Sequence, residues 1–249
     1  MIERAIFVLT DRETGQRFLT ILPDLLDIGL ADATILHLLP SRRGPVEPMP
    51  ELANWVRHFE LSVEKVELAL KRGDPVRWIF DLARVREAQL VVLAAPPDDA
   101  AWDFERVSSP LRGLGVPILY LPDGRVDGSF LETVVIAVKT PATLDREVPR
   151  LRSTLRPRDL RAIHVTPAAH RPGSEAISGI RLETVPADEG VATTILEYAA
   201  GHDATLVVVL ADEDEGRTSQ TPGSPVVGPL IADADRPILV WPTAPEPSA

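Results

Sequence analysis

The segment L-V-V-L-A at residues 90–94 has the composition of a strand buried on both faces of a parallel sheet. In nucleotide-binding α/β folds such a strand leads into glycines, whose backbone N–H groups approach a phosphate closely. Here it leads into Ala95, two prolines and the acidic pair Asp98 and Asp99. Proline has no N–H to donate, and a carboxylate repels a phosphate. The residues that follow this strand therefore disfavour an anionic ligand.

Two histidines and an acidic run are further candidates for chemistry. His37 and His164 stand in matching apolar segments, and no acidic partners repeat around them, so we expect a structural role for both. The run D-E-D-E at residues 212–215 could attract a divalent cation. It lacks the spaced oxygens and the glycine of a calcium loop, so a solvated loop is the favoured interpretation.

Gly223 and Ser224 could hold an anion through backbone N–H groups. The flanking residues Pro222 and Pro225 favour a simple turn instead. Nothing in the sequence matches a serine triad, a P-loop or a paired-carboxylate site. We therefore expect no catalytic residue and no metal site.

Composition sets wider limits on function. The 249 residues are 45% hydrophobic, and 37 acidic against 26 basic residues give a net charge of −11. This charge argues against nucleic acid and anionic membranes as partners. The absence of cysteine excludes disulfides, thiolate metal sites and cysteine nucleophiles. No signal-like start and no apolar run of about 18 residues is present, so we expect a cytoplasmic protein.

Four blocks of sequence recur in the same order in the two halves of the chain. The pairs are 4–10 with 133–140, 32–40 with 159–167, 78–94 with 194–211, and 117–122 with 237–242. This duplication predicts two homologous domains, residues 1–125 and 130–245, joined by a turn-rich segment at 123–129.

Each half alternates strand and helix patterns. In the first half, strands are expected near 5–10, 33–39, 66–70, 90–94 and 116–121, with helices near 15–28, 50–63 and 76–86. Gly29 is suited to end the first helix, and Asp74 with Pro75 to begin the third. This alternation predicts parallel sheets with right-handed crossovers.

The second half departs from the first between its second and third strands. Residues 168–180 contain glycine and proline and show no helical stripe, so we expect no full helix there. A patch of the second sheet would then lack its own cover. We expect the other domain or another subunit to cover it.

The repeated blocks resemble the universal stress protein family, in tandem and over nearly the whole chain. The resemblance rests on I-L-H-L-L-P with A-I-H-V-T-P, on G-D-P before a helix, and on P-I-L-Y-L-P with P-I-L-V-W-P. It implies an α/β fold of two Rossmann-like (adenine nucleotide alpha hydrolase-like) domains. Each would hold a five-stranded parallel sheet of order 3-2-1-4-5 flanked by helices. It also implies that the two halves pair through their last strands as an intramolecular pseudo-dimer.

Many members of this family bind ATP, and the resemblance locates the residues concerned. An Asp that reads the nucleoside is expected at the end of the first strand. Thr10 stands there in the first copy, with Asp11 next to it. In the second copy Lys139 stands there, with Thr140 next to it.

The phosphate loop of the family, three glycines and a hydroxyl residue after the fourth strand, is degenerate in both copies. In the first copy the three glycines are replaced by Ala94, Pro97 and Val107, and the hydroxyl residue is kept as Ser108. In the second copy the first two glycines are replaced by Leu210 and Glu213. The third glycine and the hydroxyl residue are kept there as Gly223 and Ser224. The residual cofactor-binding candidates are therefore Lys139, Thr140, Gly223 and Ser224.

These observations favour a non-catalytic stress-response module that acts through an unidentified protein partner or small ligand, without a cofactor, as a homo-oligomer. The alternative is an ATP- or AMP-binding stress regulator that uses its second domain. An enzyme of the wider superfamily has little support, because no general base or metal-binding carboxylate can be named.

Overall fold

The computed structural model describes residues 1–39, 51–96, 102–123, 128–167, 171–187, 190–211 and 226–243. The chain divides into two compact units, Met1–Asp127 and Gly128–Ala249. The boundary falls within the turn-rich segment 123–129. In both units most strands alternate with helices and pair in parallel.

Unit 1 contains five strands and four helices among its described residues. They are β1 (Arg4–Leu9), α1 (Arg12–Asp27), β2 (Asp32–Leu39), α2 (Leu52–Glu60), β3 (Lys65–Arg72), α3 (Pro75–Val85), β4 (Leu90–Ala94), α4 (Phe104–Arg112) and β5 (Ile118–Leu121). The strands lie in the order β3-β2-β1-β4-β5, and all neighbours are parallel. This confirms the predicted order 3-2-1-4-5.

Unit 2 repeats this plan with one additional strand. Its described elements are β6 (Thr133–Val138), α5 (Pro141–Leu155), β7 (Asp159–Pro167), β8 (Gly173–Ile177), β9 (Ile180–Ala187), α6 (Val191–Gly201), β10 (Leu206–Ala211), α7 (Val227–Ala232) and β11 (Ile238–Pro242). The order is β11-β10-β6-β7-β9-β8, parallel except for the antiparallel pair β8 and β9. Five of these strands, β9-β7-β6-β10-β11, follow the predicted order 3-2-1-4-5, and β8 is a sixth strand added beyond β9.

A two-residue turn explains the additional strand. Ser178 and Gly179 join β8 to β9, and both have positive φ, +48° and +71°. Two such residues in succession form the tight turn whose twist matches a β-hairpin. Arg152 of α5 donates hydrogen bonds to the carbonyls of Ser178 and Gly179, at 3.3 and 3.1 Å, and Asp145 contacts the Ser178 hydroxyl. In the order of elements along the chain, β8 thus stands in unit 2 where unit 1 has α2, and β9 corresponds to β3.

The cores of both units are mainly aliphatic. The central strands β4 and β10 are buried along their whole length. In unit 1 the ring of Phe7 packs edge-on against Phe18 and Phe59, at 5.3 and 4.8 Å between centroids. None of the helices in the described parts of the chain is both long enough and apolar enough to cross a bilayer.

Local signals at helix ends act as the sequence predicts. Asp74 accepts a hydrogen bond from the Val76 N–H at 3.1 Å, and Pro75 is the first residue of α3. Gly29, with φ of +107°, lies just beyond α1. Asp74 thus fixes the loop that follows β3, at the carboxyl edge of the unit 1 sheet, whereas Gly29 leads into β2 at the opposite edge.

Candidate functional site

The carboxyl edge of the central strands is the candidate site in each unit. In sheets with this strand order, the chain connections on the two sides of the first strand run in opposite directions. A crevice opens between them at the carboxyl ends of the strands, and such folds bind ligands in this crevice. In unit 1 this place lies beyond β1 and β4, and in unit 2 beyond β6 and β10.

Unit 2 has a cavity of about 250 Å³ at this place. Its described lining residues come from the ends of the strands β6, β7 and β10, from α6 and from the start of α7. They are Ala137, Val138, Lys139, Ile163, Val165, Val191, Ile195, Val209, Leu210 and Val226. Lys139 is the one charged residue in this set, and the rest are aliphatic. Lys139 and Val191 are exposed, so the mouth of the cavity lies beside them.

Of the predicted site residues, the structure brings Lys139 to the cavity but not Thr140. Thr140 is the N-cap of α5, where its Oγ1 accepts a hydrogen bond from the Thr143 N–H at 3.3 Å and lies 2.9 Å from the Thr143 hydroxyl. Its side chain thus stabilises the helix start. Gly223 and Ser224, the other two predicted residues, lie outside the described residues.

The corresponding position in unit 1 is also a helix cap. Strand register matches the two units, because Leu9 pairs with His37 as Val138 pairs with His164. Asp11 therefore corresponds to Thr140. Its Oδ1 accepts hydrogen bonds from the N–H and hydroxyl of Thr14, at 2.8 and 2.9 Å, and its Oδ2 accepts one from the Thr10 hydroxyl at 3.0 Å. Both carboxylate oxygens are engaged at the start of α1.

Other polar groups at the edge of unit 1 are engaged as well. The Ala95 N–H donates to the carbonyl of Leu121 at 2.9 Å. Ser108 is buried, and its hydroxyl donates to the Glu105 carbonyl at 3.3 Å. Two groups that could have bound a phosphate therefore have partners within the protein. Residues 97–100 and 212–215 lie outside the described residues, so their effect on an anion stays a prediction.

The histidines have different surroundings in the two units. His37 is buried, and its Nδ1 donates to the carbonyl of Leu9 at 3.2 Å. Burial lowers the pKa of His37, and the hydrogen bond to Leu9 opposes that shift in part. A buried neutral histidine bonded to backbone fits the structural role expected from the sequence. His164 is only partly buried. No group of three metal-ligating side chains occurs within the described ranges.

The cavity itself was missed by the sequence reasoning, although the repeat contains a signal for it. Val8 and Leu93 lie side by side on β1 and β4, whereas the same register positions of β6 and β10 hold Ala137 and Val209. The side chains of Ala137 and Val209 are smaller than those of Val8 and Leu93, and Ala137 and Val209 lie next to each other. Two of the residues that line the cavity are thus smaller than their counterparts in unit 1, and this difference is the signal for it in the repeat.

Solved structures of other proteins have the same fold as this chain. No protein-family model matches the sequence, and no curated protein matches it. Among solved structures, a universal stress protein from Archaeoglobus fulgidus DSM 4304 is 15% identical, with a TM-score of 0.69 over 98% of this chain and 97% of that one.

Two structures from Pseudomonas aeruginosa are also similar. One is a protein of unknown function from strain PAO1, 13% identical, with a TM-score of 0.63 over 97% of this chain and 93% of that one. The other, from strain UCBPP-PA14, is provisionally described as a universal stress protein; it is 13% identical, with a TM-score of 0.64 over 97% and 94% of the two chains. Over nearly its full length, this chain has the fold of the universal stress proteins.

Proposed function

We propose that this protein is a tandem universal stress protein that acts in a stress response as a non-catalytic binding module, with its nucleotide site largely lost. The fold that it shares with a universal stress protein over 98% of the chain supports the stress-response role. The matching strand order of the two units supports the tandem interpretation. The argument that the nucleotide site is largely lost depends on the residues at the carboxyl edges of the two sheets.

The engagement of polar groups in unit 1 is the observation that carries this proposal. A phosphate needs N–H and hydroxyl donors that are free to turn towards it. The Ala95 N–H and the Ser108 hydroxyl both donate to backbone carbonyls instead. Asp11, the carboxylate nearest the end of β1, caps α1 through its Oδ1, and its Oδ2 accepts a hydrogen bond from the Thr10 hydroxyl. A nucleotide would have to break these bonds in order to bind.

Unit 2 offers a nucleotide few polar side chains. A nucleobase carries several ring nitrogens, and each one that is buried without a partner costs about 1–3 kcal/mol. The described side chains around the cavity supply only the ammonium group of Lys139. The sequence also continues from β10 into four consecutive acidic residues at 212–215. Both features disfavour ATP.

Thermal unfolding with and without ATP and Mg²⁺ tests the proposal. A ligand at 100 times its Kd raises the stability of the folded state by about 2.7 kcal/mol, which moves the midpoint by several degrees. We expect no such rise. A rise that persists in Lys139→Met and Gly223→Glu would point to nucleotide binding elsewhere and would also contradict the proposal.

The second candidate function is an ATP- or AMP-binding stress regulator that uses unit 2. It is favoured by the position of Lys139, which lies at the cavity as a phosphate-binding lysine would. This function requires a midpoint rise with ATP that disappears in both Lys139→Met and Gly223→Glu. Lys65→Met is the matched control, because Lys65 is exposed and pairs with Asp32 on the edge of unit 1.

The absence of catalysis is part of the proposal and has its own test. Phosphate release from ATP is measured with purified protein and with a heat-denatured sample of the same preparation. We expect equal rates in the two. Release above the denatured control that is lost in Lys139→Met would assign an ATPase activity to unit 2.

A further inference from the structure

We propose that two copies of this chain associate through β3, the outermost strand of unit 1, which pairs antiparallel with β3 of the second copy. In this pairing Leu68 lies opposite the partner's Leu70, and Leu70 lies opposite the partner's Leu68. The inference goes beyond the proposed function and does not depend on it, because the pairing involves no nucleotide.

The outer side of β3 offers backbone groups to another strand. Strand β3 pairs with β2 on one side, and no strand in the described part of the chain lies on its other side. The Lys65 N–H donates to the carbonyl of Ala31, so the backbone groups of Lys65 face β2. Because this direction alternates along a strand, the N–H and C=O groups of Leu68 and Leu70 face outwards. Two antiparallel copies can therefore bond N–H to C=O between these two leucines in both directions.

The side chains at the same positions favour association as well. Leu68 and Leu70 are 38% and 43% exposed, and their spacing of two residues places both on one face of the strand. Strand β3 is 8 residues long and contains no proline. A long edge strand with exposed apolar side chains is a surface that pairs with other chains. In the proposed pairing the leucines of the two copies form one apolar cluster.

The charged side chains of β3 do not protect this edge. They lie on the other face of the strand and are held by partners within unit 1. The contacts are Lys65 with Asp32 at 2.7 Å, Glu67 with Arg86, and Lys71 with the Trp78 ring, 4.7 Å from its centroid. The proposed pairing needs none of these charges to leave its partner, because its hydrogen bonds come from the backbone.

The order of the charges selects one register. If Leu68 lay opposite the partner's Leu68, Lys65 would lie opposite the partner's Lys71, and like charges in that position are destabilising. If Leu70 lay opposite the partner's Leu70, Leu68 would lie opposite the arginine that ends β3. In the proposed register Glu67 lies opposite the partner's Lys71 and the leucines lie opposite each other. Among these three registers, it alone combines opposite charges with apolar contact.

An introduced cysteine tests both the association and its register. The chain contains no cysteine, so a single substitution creates a unique thiol. In the proposed register Ala69 lies opposite the partner's Ala69 in a non-hydrogen-bonded pair, with the two Cα atoms about 4.5 Å apart, which a disulfide can span. We expect mild oxidation of Ala69→Cys to give a covalent species of two chains. In Lys71→Cys, the control, the two Cα atoms would lie about 13 Å apart, so we expect at least tenfold less. Failure of Ala69→Cys to cross-link, or equal cross-linking of Lys71→Cys, would overturn the proposal.

A mixture of two variants gives a second measurement should Ala69→Cys not fold, as judged by circular dichroism. Glu67→Cys and Lys71→Cys place their thiols opposite each other in the proposed register. We expect the mixture to form the two-chain species and each protein alone to form at least tenfold less. A mass of two chains by light scattering without cross-linking in either experiment would place the association at another edge and overturn the proposal.

Substitutions that block the edge complete the test. Leu70→Pro removes an outward N–H and leaves the pairing with β2 intact, because proline is accepted on the outer side of an edge strand. In the Ala69→Cys protein it should reduce cross-linking at least tenfold, as should Leu68→Lys. Leu61→Lys is the matched control, because Leu61 is 76% exposed and lies outside β3. Unchanged cross-linking in a folded protein that carries Leu70→Pro would contradict the pairing.

Discussion

Asp11 and Thr140 occupy the same position in the two units, and each caps the helix that follows. An N-cap side chain contributes about 1 kcal/mol to stability. The family resemblance directed attention to these positions as nucleotide contacts, and sequence alone could not distinguish that role from capping. The distinction depends on whether the side chain turns towards the helix or towards the crevice, which only coordinates show.

His37 is expected to make stability depend on pH. Burial lowers its pKa in the folded state below the ordinary value of 6.5, so the unfolded chain takes up the proton first as pH falls. The stabilisation is fully present above pH 6.5 and is lost as pH decreases from there through the folded-state pKa. Urea unfolding between pH 8 and 5 should therefore show a decline that His37→Asn reduces. An equal decline in both proteins would contradict this explanation.

Gly15 is expected to resist a substitution that normally stabilises helices. A Cβ atom at Gly15 would lie 2.5 Å from the Trp55 ring, so Gly15→Ala should lower the free energy of unfolding although alanine is the better helix former. Gly201 is the matched control, because it lies in α6 with open space around its Cβ position. Thermal unfolding should show Gly15→Ala less stable and Gly201→Ala no less stable than the parent. A stabilised Gly15→Ala would show that Trp55 moves without cost.

At the scale of elements, the contact between α5 and β11 centres on a buried carboxylate. Glu147 is 1% exposed and accepts hydrogen bonds from Arg146, Arg150 and the Trp241 indole, each at 3.3 Å. The Arg150 guanidinium also lies over the Trp241 ring, 4.8 Å from its centroid. Helix α5 is thus tied to the last strand of unit 2 by a polar network as well as by apolar packing.

This network predicts unequal effects for two similar substitutions. Glu147→Gln replaces the charged acceptor of the buried Trp241 indole and of two partly exposed guanidinium groups with a neutral one, and should lower the free energy of unfolding by about 2 kcal/mol. Glu13→Gln neutralises an exposed carboxylate whose partner, Arg17, also pairs with Asp123, and should change the free energy of unfolding by less than about 0.5 kcal/mol. Chemical denaturation of the two variants measures both values. Equal losses would contradict the network's role.

Element prediction succeeded where one physical signal dominated. Buried parallel strands such as Leu90–Ala94 are predictable because they are continuous apolar runs, and the Asp74-Pro75 pair indicates the start of a helix. The sequence pattern does not indicate helix α4, because Pro110 interrupts the helical spacing of its apolar residues. Strand β8 was missed because it is largely exposed, shows no alternation, and is formed through the turn at Ser178. Such strands depend on pairing and not on local sequence.

At the scale of the whole molecule, the edge of unit 2 favours association between copies. Strand β8 is the last strand of its sheet and is largely exposed. The backbone groups on the outer side of an edge strand offer hydrogen bonds to another chain. We therefore expect light scattering to give a mass in solution of at least two chains of 27.2 kDa each. A mass of 27.2 kDa at every concentration would contradict the predicted homo-oligomer.

The most direct test of the account is equilibrium binding of ATP with Mg²⁺ to the full chain. The Asp11 carboxylate, the Ala95 N–H and the Ser108 hydroxyl of unit 1 already have partners within the protein. The described lining of the unit 2 cavity is aliphatic apart from Lys139. We therefore predict no saturable binding up to about 1 mM, an affinity weaker than about −4.1 kcal/mol. One or two molecules of ATP bound per chain with a micromolar Kd would contradict the loss of the nucleotide site.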